Sequence, residues 1–140
     1  MASSIQRPGV FEASPASIYS VRFLLRVEGL AVAAVSAALY ARYGASWWLF
    51  AALWLAPDLS MVGYLRGAAW GSRVYNAVHS YATPATLGFV AFLLHAHLSL
   101  ALALIWVNHI GVDRLLGYGL KYSEEFSLTH LGRIGRRSTR

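Results

Sequence analysis

Between Val74 and Gly119 the chain carries one anion, Asp113, and one cation, Arg114. About 20 helical residues cross the hydrocarbon core of a bilayer, so this run is roughly twice what one crossing needs and must fold back. The polar group His95, His97 and Ser99 is where it turns, although no Gly or Pro marks the position. The run therefore divides into a third span over about 74–94 and a fourth over about 98–118.

Upstream, a second span over about 47–65 opens on Trp47 and Trp48 and closes on Tyr64 before Arg66, with aromatics at both ends as an interfacial belt. The first span covers about 23–43 and contains Arg26 and Glu28. Leu30 to Leu39 would also suit the apolar region of a signal peptide. Glu28 in front of it and the weak small-residue site near Ala41 weigh against that reading. The expectation is an all-α polytopic membrane protein with four transmembrane helices over 21–120. A flexible arm at 1–20 precedes it, containing Pro8, Pro15 and several serines, and a basic tail at 121–140 follows.

Composition agrees. Hydrophobic residues make up 57% and charged residues 13%, about half the charged share of a soluble domain. The absence of cysteine excludes disulfides and thiolate metal sites. The net charge of +6 sits at the ends of apolar segments rather than in a patch with exposed aromatics, so it reports topology and not nucleic-acid binding. With four spans, every Lys and Arg except Arg42 falls on one side. The positive-inside rule makes that side cytoplasmic, with both termini there. In the tail, Tyr122, Phe126, Leu128, Leu131 and Ile134 alternate with Lys and Arg, which fits an amphipathic segment on the anionic inner leaflet. Folding over a cavity, with Thr129 and His130 near the polar residues, is the other arrangement open to it.

Ionisable groups inside spans are costly and mark function. Glu28, Asp58, His79, His109 and Asp113 are the candidates, with Asn76, Ser80 and Asn108 as polar neighbours. At about 1.5 Å per helical residue, Glu28, His79 and Asp113 lie roughly 9 Å inside the cytoplasmic boundary, Asp58 roughly 12 Å and His109 roughly 15 Å. Each span thus brings a polar group to one layer. His109 and Asp113 share a helix face at i,i+4 spacing, as do Asn76, His79 and Thr83. Pro57 removes a backbone donor beside Asp58, which is tolerated where backbone lines a cavity.

Two imidazoles with two or three carboxylates suit a divalent cation such as zinc, manganese or iron, whose charge offsets the acids. Asp58, His79, His109 and Asp113 are the expected ligands, and Glu28 a further ligand or the catalytic general base. The bland alternative has Glu28 paired with Arg26 or Arg114, and the remaining groups holding helices together by hydrogen bonds. Haem on His79 and His109 fits less well, because carboxylates favour a dication. Gly117 and Gly119 read as the end of the fourth helix.

Ala56-Pro57-Asp58-Leu59-Ser60-Met61, Tyr75-Asn76 with His79-Ser80-Tyr81, His109-Ile110-Gly111-Val112-Asp113-Arg114 with Gly117-Tyr118-Gly119, and Thr129-His130-Leu131-Gly132-Arg133 occur in that order. On these motifs the chain, from about Arg26 to Gly135, resembles domain-of-unknown-function family 4260, small bacterial integral membrane proteins. The resemblance implies a multi-pass protein of the bacterial inner membrane and leaves the activity open. A more distant likeness links Pro57-Asp58, His79-Ser80 and His109 with Asp113 to membrane-bound metal-dependent hydrolases. The chain departs from them at Val78, where they have Thr, and at Ser60, where they have a second Asp. Two functions follow as expectations. One is a metal site near the cytoplasmic face acting on a lipid-linked substrate. The other is a non-enzymatic bundle, as a homo-oligomer, an accessory subunit of a larger membrane complex, or a small carrier.

Overall fold

A computed structural model describes residues 14–135. It is mostly helical: α1 (Pro15–Tyr43), α2 (Trp47–Leu53), a 3-10 segment (Ala56–Arg66), α3 (Ala68–Val78), α4 (Ala82–Leu93) and α5 (His97–Leu116). A two-stranded hairpin, β1 (Leu128–Thr129) with β2 (Gly132–Arg133), follows. Three helical stretches are long and apolar enough to cross a membrane: Pro15–Tyr43, Trp47–Arg66 and His97–Leu116. Large apolar side chains such as Phe23, Trp48, Leu65, Phe89 and Phe92 cover the outside.

α1 starts earlier than the sequence reading placed the first span. Ser14 caps it by accepting from the Ser17 amide, and Pro15 occupies the first turn, where no amide donor is needed. Residues 15–20 of the expected flexible arm are therefore helical, and 1–13 lie outside the described residues. At its far end the Tyr40 hydroxyl donates to the Ser46 carbonyl, 2.8 Å, and its ring packs on Trp47 and Phe50, which fixes the turn into α2.

Both interruptions inside the apolar stretches trace to proline, whose ring collides with the carbonyl four residues earlier. Pro57 ends α2 at Leu53, and the chain continues as the 3-10 segment, which carries Asp58. Pro84 acts on Ser80 in the same way, and the expected continuous third span is two helices, α3 and α4, broken at His79–Tyr81. The stretch Arg66–Arg73, expected as a basic loop, is only a turn at Gly67, and Arg73 lies within α3. The expected turn at His95 is present between α4 and α5. His95 takes φ 54° there, which explains how the chain reverses without glycine.

α5 is the hub. It runs against α1 along Gly29, Ala33, Ser36 and Tyr40, the four buried residues of that helix. Small residues let two backbones close in, the usual device where no hydrophobic force separates helix from lipid. A Cβ on Gly111 would lie 2.8 Å from the Ala33 nitrogen and 3.0 Å from the Gly29 carbonyl oxygen. Asn108 locks the pair by donating to the Ala33 carbonyl, 2.8 Å, and to Ser36 Oγ, 3.2 Å. After α5 ends at the left-handed Gly117, residues 121–135 turn back onto the bundle rather than leading away from it. Lys121, Thr129 and Leu131 are buried there.

Gly111→Ala is expected to force α1 and α5 apart and cost roughly 1–3 kcal/mol, as overpacked contacts do. Thermal unfolding in detergent checks this, and an unchanged midpoint would contradict the close approach.

Candidate metal centre

The break at His79–Tyr81 frees carbonyls that need donors. Thr83 Oγ1 donates to Ala77, 2.6 Å, Trp106 Nε1 to Val78, 2.8 Å, and Arg114 Nη2 to His79, 3.0 Å. Two of these donors come from α5, so the break is clamped to the helix that carries His109 and Asp113. The shared face expected for Asn76, His79 and Thr83 does not survive the break. Thr83 serves the backbone, and Asn76 exchanges two hydrogen bonds with the Lys121 backbone, 2.8 and 2.7 Å.

His79 is oriented on both sides. Its Nδ1 meets the Tyr75 carbonyl at 3.1 Å, and its ring stacks on Tyr75 at 3.8 Å and 10°. A proton donated from Nδ1 leaves the Nε2 lone pair facing inward, the arrangement of a metal-binding imidazole. His109 presents Nε2 to the same point. Its Nδ1 is buried without a partner among the described residues, so packing orients this ring, edge-on to Trp54 at 5.1 Å. Trp54 is itself held by donating to Asn108 Oδ1, 2.9 Å.

Four of the five sequence candidates converge. His79 Nε2 and His109 Nε2 are 3.3 Å apart. Asp58 Oδ1 lies 3.4 Å from the first and 3.5 Å from the second, and Asp113 Oδ2 lies 3.7 and 3.6 Å from them. No pair among the four ligand atoms exceeds 4.8 Å. Good charge-assisted N–H···O bonds close to about 2.7–2.9 Å, so at 3.3–3.7 Å these contacts are at best long hydrogen bonds. They match the edges of a coordination shell. Zinc bonds of about 2.0–2.2 Å imply tetrahedral edges of roughly 3.3–3.6 Å. The donor set therefore fits a divalent ion.

Charge points the same way. Among the described residues, only the two imidazoles come within ion-pair distance of Asp58 or Asp113. The nearby cations are committed elsewhere: Arg114 donates to the His79 and Tyr118 carbonyls, and Lys121 Nζ to the Phe126 carbonyl. Two carboxylates thus face inward without a cation of their own. The histidine side chains are 1% and 2% exposed and Asp113 14%, whereas Asp58 is 35% exposed, so access is from the Asp58 side. There a cavity of about 310 Å³ opens, lined by both aspartates, Tyr75, Tyr118, Lys121 and Phe126. Lys121 Nζ sits 3.3 Å from the centre of the Phe126 ring and 4.9 Å from that of Tyr75, and Phe126 packs edge-on to Tyr64. The tail forms the roof of the cavity.

Glu28 does not join the group. It is exposed on α1 and shows no ion pair with Arg26 or Arg114 among the described residues. α1 supplies Ala33 and Ser36 to the polar layer instead. Sequence reasoning also missed Tyr75, Trp54, Trp106 and Lys121. Tyr75, four residues before His79, and Trp106, three before His109, had a readable signal in their spacing; Trp54 and Lys121 reach the site through contacts distant in sequence.

A family model for a domain of unknown function, DUF4260, matches residues 22–134. The chain belongs to the DUF4260 family. All four converging residues lie inside the matched region. A search of the curated proteins finds no match, and a search of the solved structures finds none either. What this DUF4260 chain does must be read from its own residues.

His130 ties the roof to the end of α5, accepting from the Leu120 amide at Nδ1, 2.8 Å. Burial and the Arg114 cation push this ring below the ordinary histidine value. An undocked tail therefore takes up the proton first, and docking weakens as pH falls through about 6.5. Protection of the Leu120 amide from hydrogen exchange, corrected for intrinsic rate, is expected to decline between about pH 7.5 and 5. Constant protection would contradict this anchoring.

Proposed function

We propose that this protein is a multi-pass protein of the bacterial inner membrane, with an intramembrane divalent-metal site near its cytoplasmic face. Asp58, His79, His109 and Asp113 are the ligands. The observation that carries the reading is the convergence of two imidazole nitrogens and two carboxylate oxygens within 4.8 Å of one another, close enough to share one ion. Zinc, manganese and iron all suit these nitrogen and oxygen donors. The broken α3–α4 pair completes a fourth crossing in this reading. Both termini and the Gly67 turn then share the side rich in Lys and Arg.

The reaction class we propose is hydrolysis of a lipid-linked substrate. A bound divalent ion supplies Lewis acidity and lowers the pKa of water. The chain's own residues do the rest. The exposed edge of Asp58 faces the cavity and can accept a proton from water, while Lys121 and Tyr118 line the same cavity. Tyr75, Trp54 and Arg114 position the two imidazoles. The cavity beside the ligands supports an enzyme over an accessory bundle, because interhelical glue requires no adjoining space.

Elemental analysis of detergent-purified protein is expected to find about one transition metal per chain, lost in His109→Ala and retained in Glu28→Ala. Metal-free wild type whose thermal stability ignores added zinc and manganese would overturn the assignment.

A further inference from the structure

A larger cavity, about 580 Å³, adjoins the metal centre and shares Tyr118 and Ile134 with the cavity there. It forms where the start of α1, the end of α5 and the hairpin meet. Three arginines line it: Arg22 and Arg26 from α1, one turn apart, and Arg133 from β2. Among the described residues no Asp or Glu lines it. Two of the guanidiniums are fixed in place. Arg26 donates to the Leu116 carbonyl, 3.1 Å, and Arg133 is held by Glu125 and by Ser127, 3.1 Å. Arg22 makes no hydrogen bond to the described residues, and its guanidinium lies against Gly132, where a Cβ would stand 2.9 Å from Arg22 Cζ.

Arg133 is paired with Glu125, but Arg22 and Arg26 meet no carboxylate among the described residues, and an anion brought into the space would offset their charge. Guanidiniums with fixed forks recognise the geometry of a phosphate, offering paired N–H donors to its oxygens. The wall is not purely polar: Tyr19 and Phe23 flank the arginines, so a phosphate carried on an apolar body is matched on both counts. In the proposed topology this end of the bundle stands at the level of the lipid headgroups.

We infer that the Arg22–Arg26–Arg133 pocket binds a phosphate group, carried on a lipid headgroup. This deepens the proposed function by naming the substrate class, and rests on it only for the idea that the bound group is presented to the metal centre through the shared Tyr118 wall. Binding itself requires no ion.

Thermal stability of the detergent-purified full chain, titrated with phosphatidic acid, diacylglycerol or inorganic phosphate, with and without chelator, tests the inference. Phosphatidic acid is expected to raise the midpoint saturably in both conditions, and diacylglycerol to leave it unchanged. In Arg22→Gln the apparent affinity is expected to fall at least about tenfold, the loss of one charge-assisted contact. Arg42→Gln, at the other end of the bundle, should bind as wild type. Stabilisation by inorganic phosphate as well would support the phosphate site and identify a soluble source. Phosphatidic acid no better than diacylglycerol, or wild-type affinity in both Arg22→Gln and Arg133→Gln, would overturn it. Phosphate binding by wild-type protein that purifies without any metal would instead contradict the metal reading alone.

Discussion

The structure depends on how three backbone carbonyls are satisfied. Pro84 forbids a continuous helix through Ser80, and the break exposes the oxygens of Ala77, Val78 and His79. In an apolar surrounding each unmet carbonyl would cost several kcal/mol, about the net stability of many small domains. Thr83, Trp106 and Arg114 meet them. Because Trp106 and Arg114 flank His109 on α5, the same bonds that repair the break set the distance between His79 and His109. Local backbone chemistry thus becomes site geometry.

The second constraint is charge. Asp58 and Asp113 turn inward toward two imidazoles, while Arg114 and Lys121 spend their donors on carbonyls. Two partly buried acids without cations of their own are stabilised when protons or a metal neutralise them. Two negative charges and one dication balance. The Arg22–Arg26–Arg133 pocket shows the opposite imbalance, since Arg22 and Arg26 have no carboxylate partner among the described residues, and the two sites share a wall. Complementary deficits side by side are what a substrate with an anionic headgroup would bridge.

Much of this was legible from residue spacing. The i,i+4 relation of His109 and Asp113, and a helical rise applied from flanking arginines, placed Asp58, His79, His109 and Asp113 at one level. Depth is a one-dimensional property and survives irregular backbone. Glu28 shows its limit: its depth matched, but depth says nothing of rotation, and α1 turns Gly29 rather than Glu28 toward α5. The broken third stretch had a signal in Pro84, hidden because a hydropathy run looks the same whether continuous or kinked. The tail's return over the cavity was one of two arrangements open from the sequence, and it is set by Asn76 gripping a backbone 45 residues away.

X-ray absorption at the edge of the co-purified metal addresses the central claim most directly. The account requires a first shell of about four nitrogen and oxygen atoms near 2.0–2.2 Å, with outer-shell scattering from two imidazoles. A hydrated ion with no imidazole signal would show that the four side chains meet for some purpose other than holding metal.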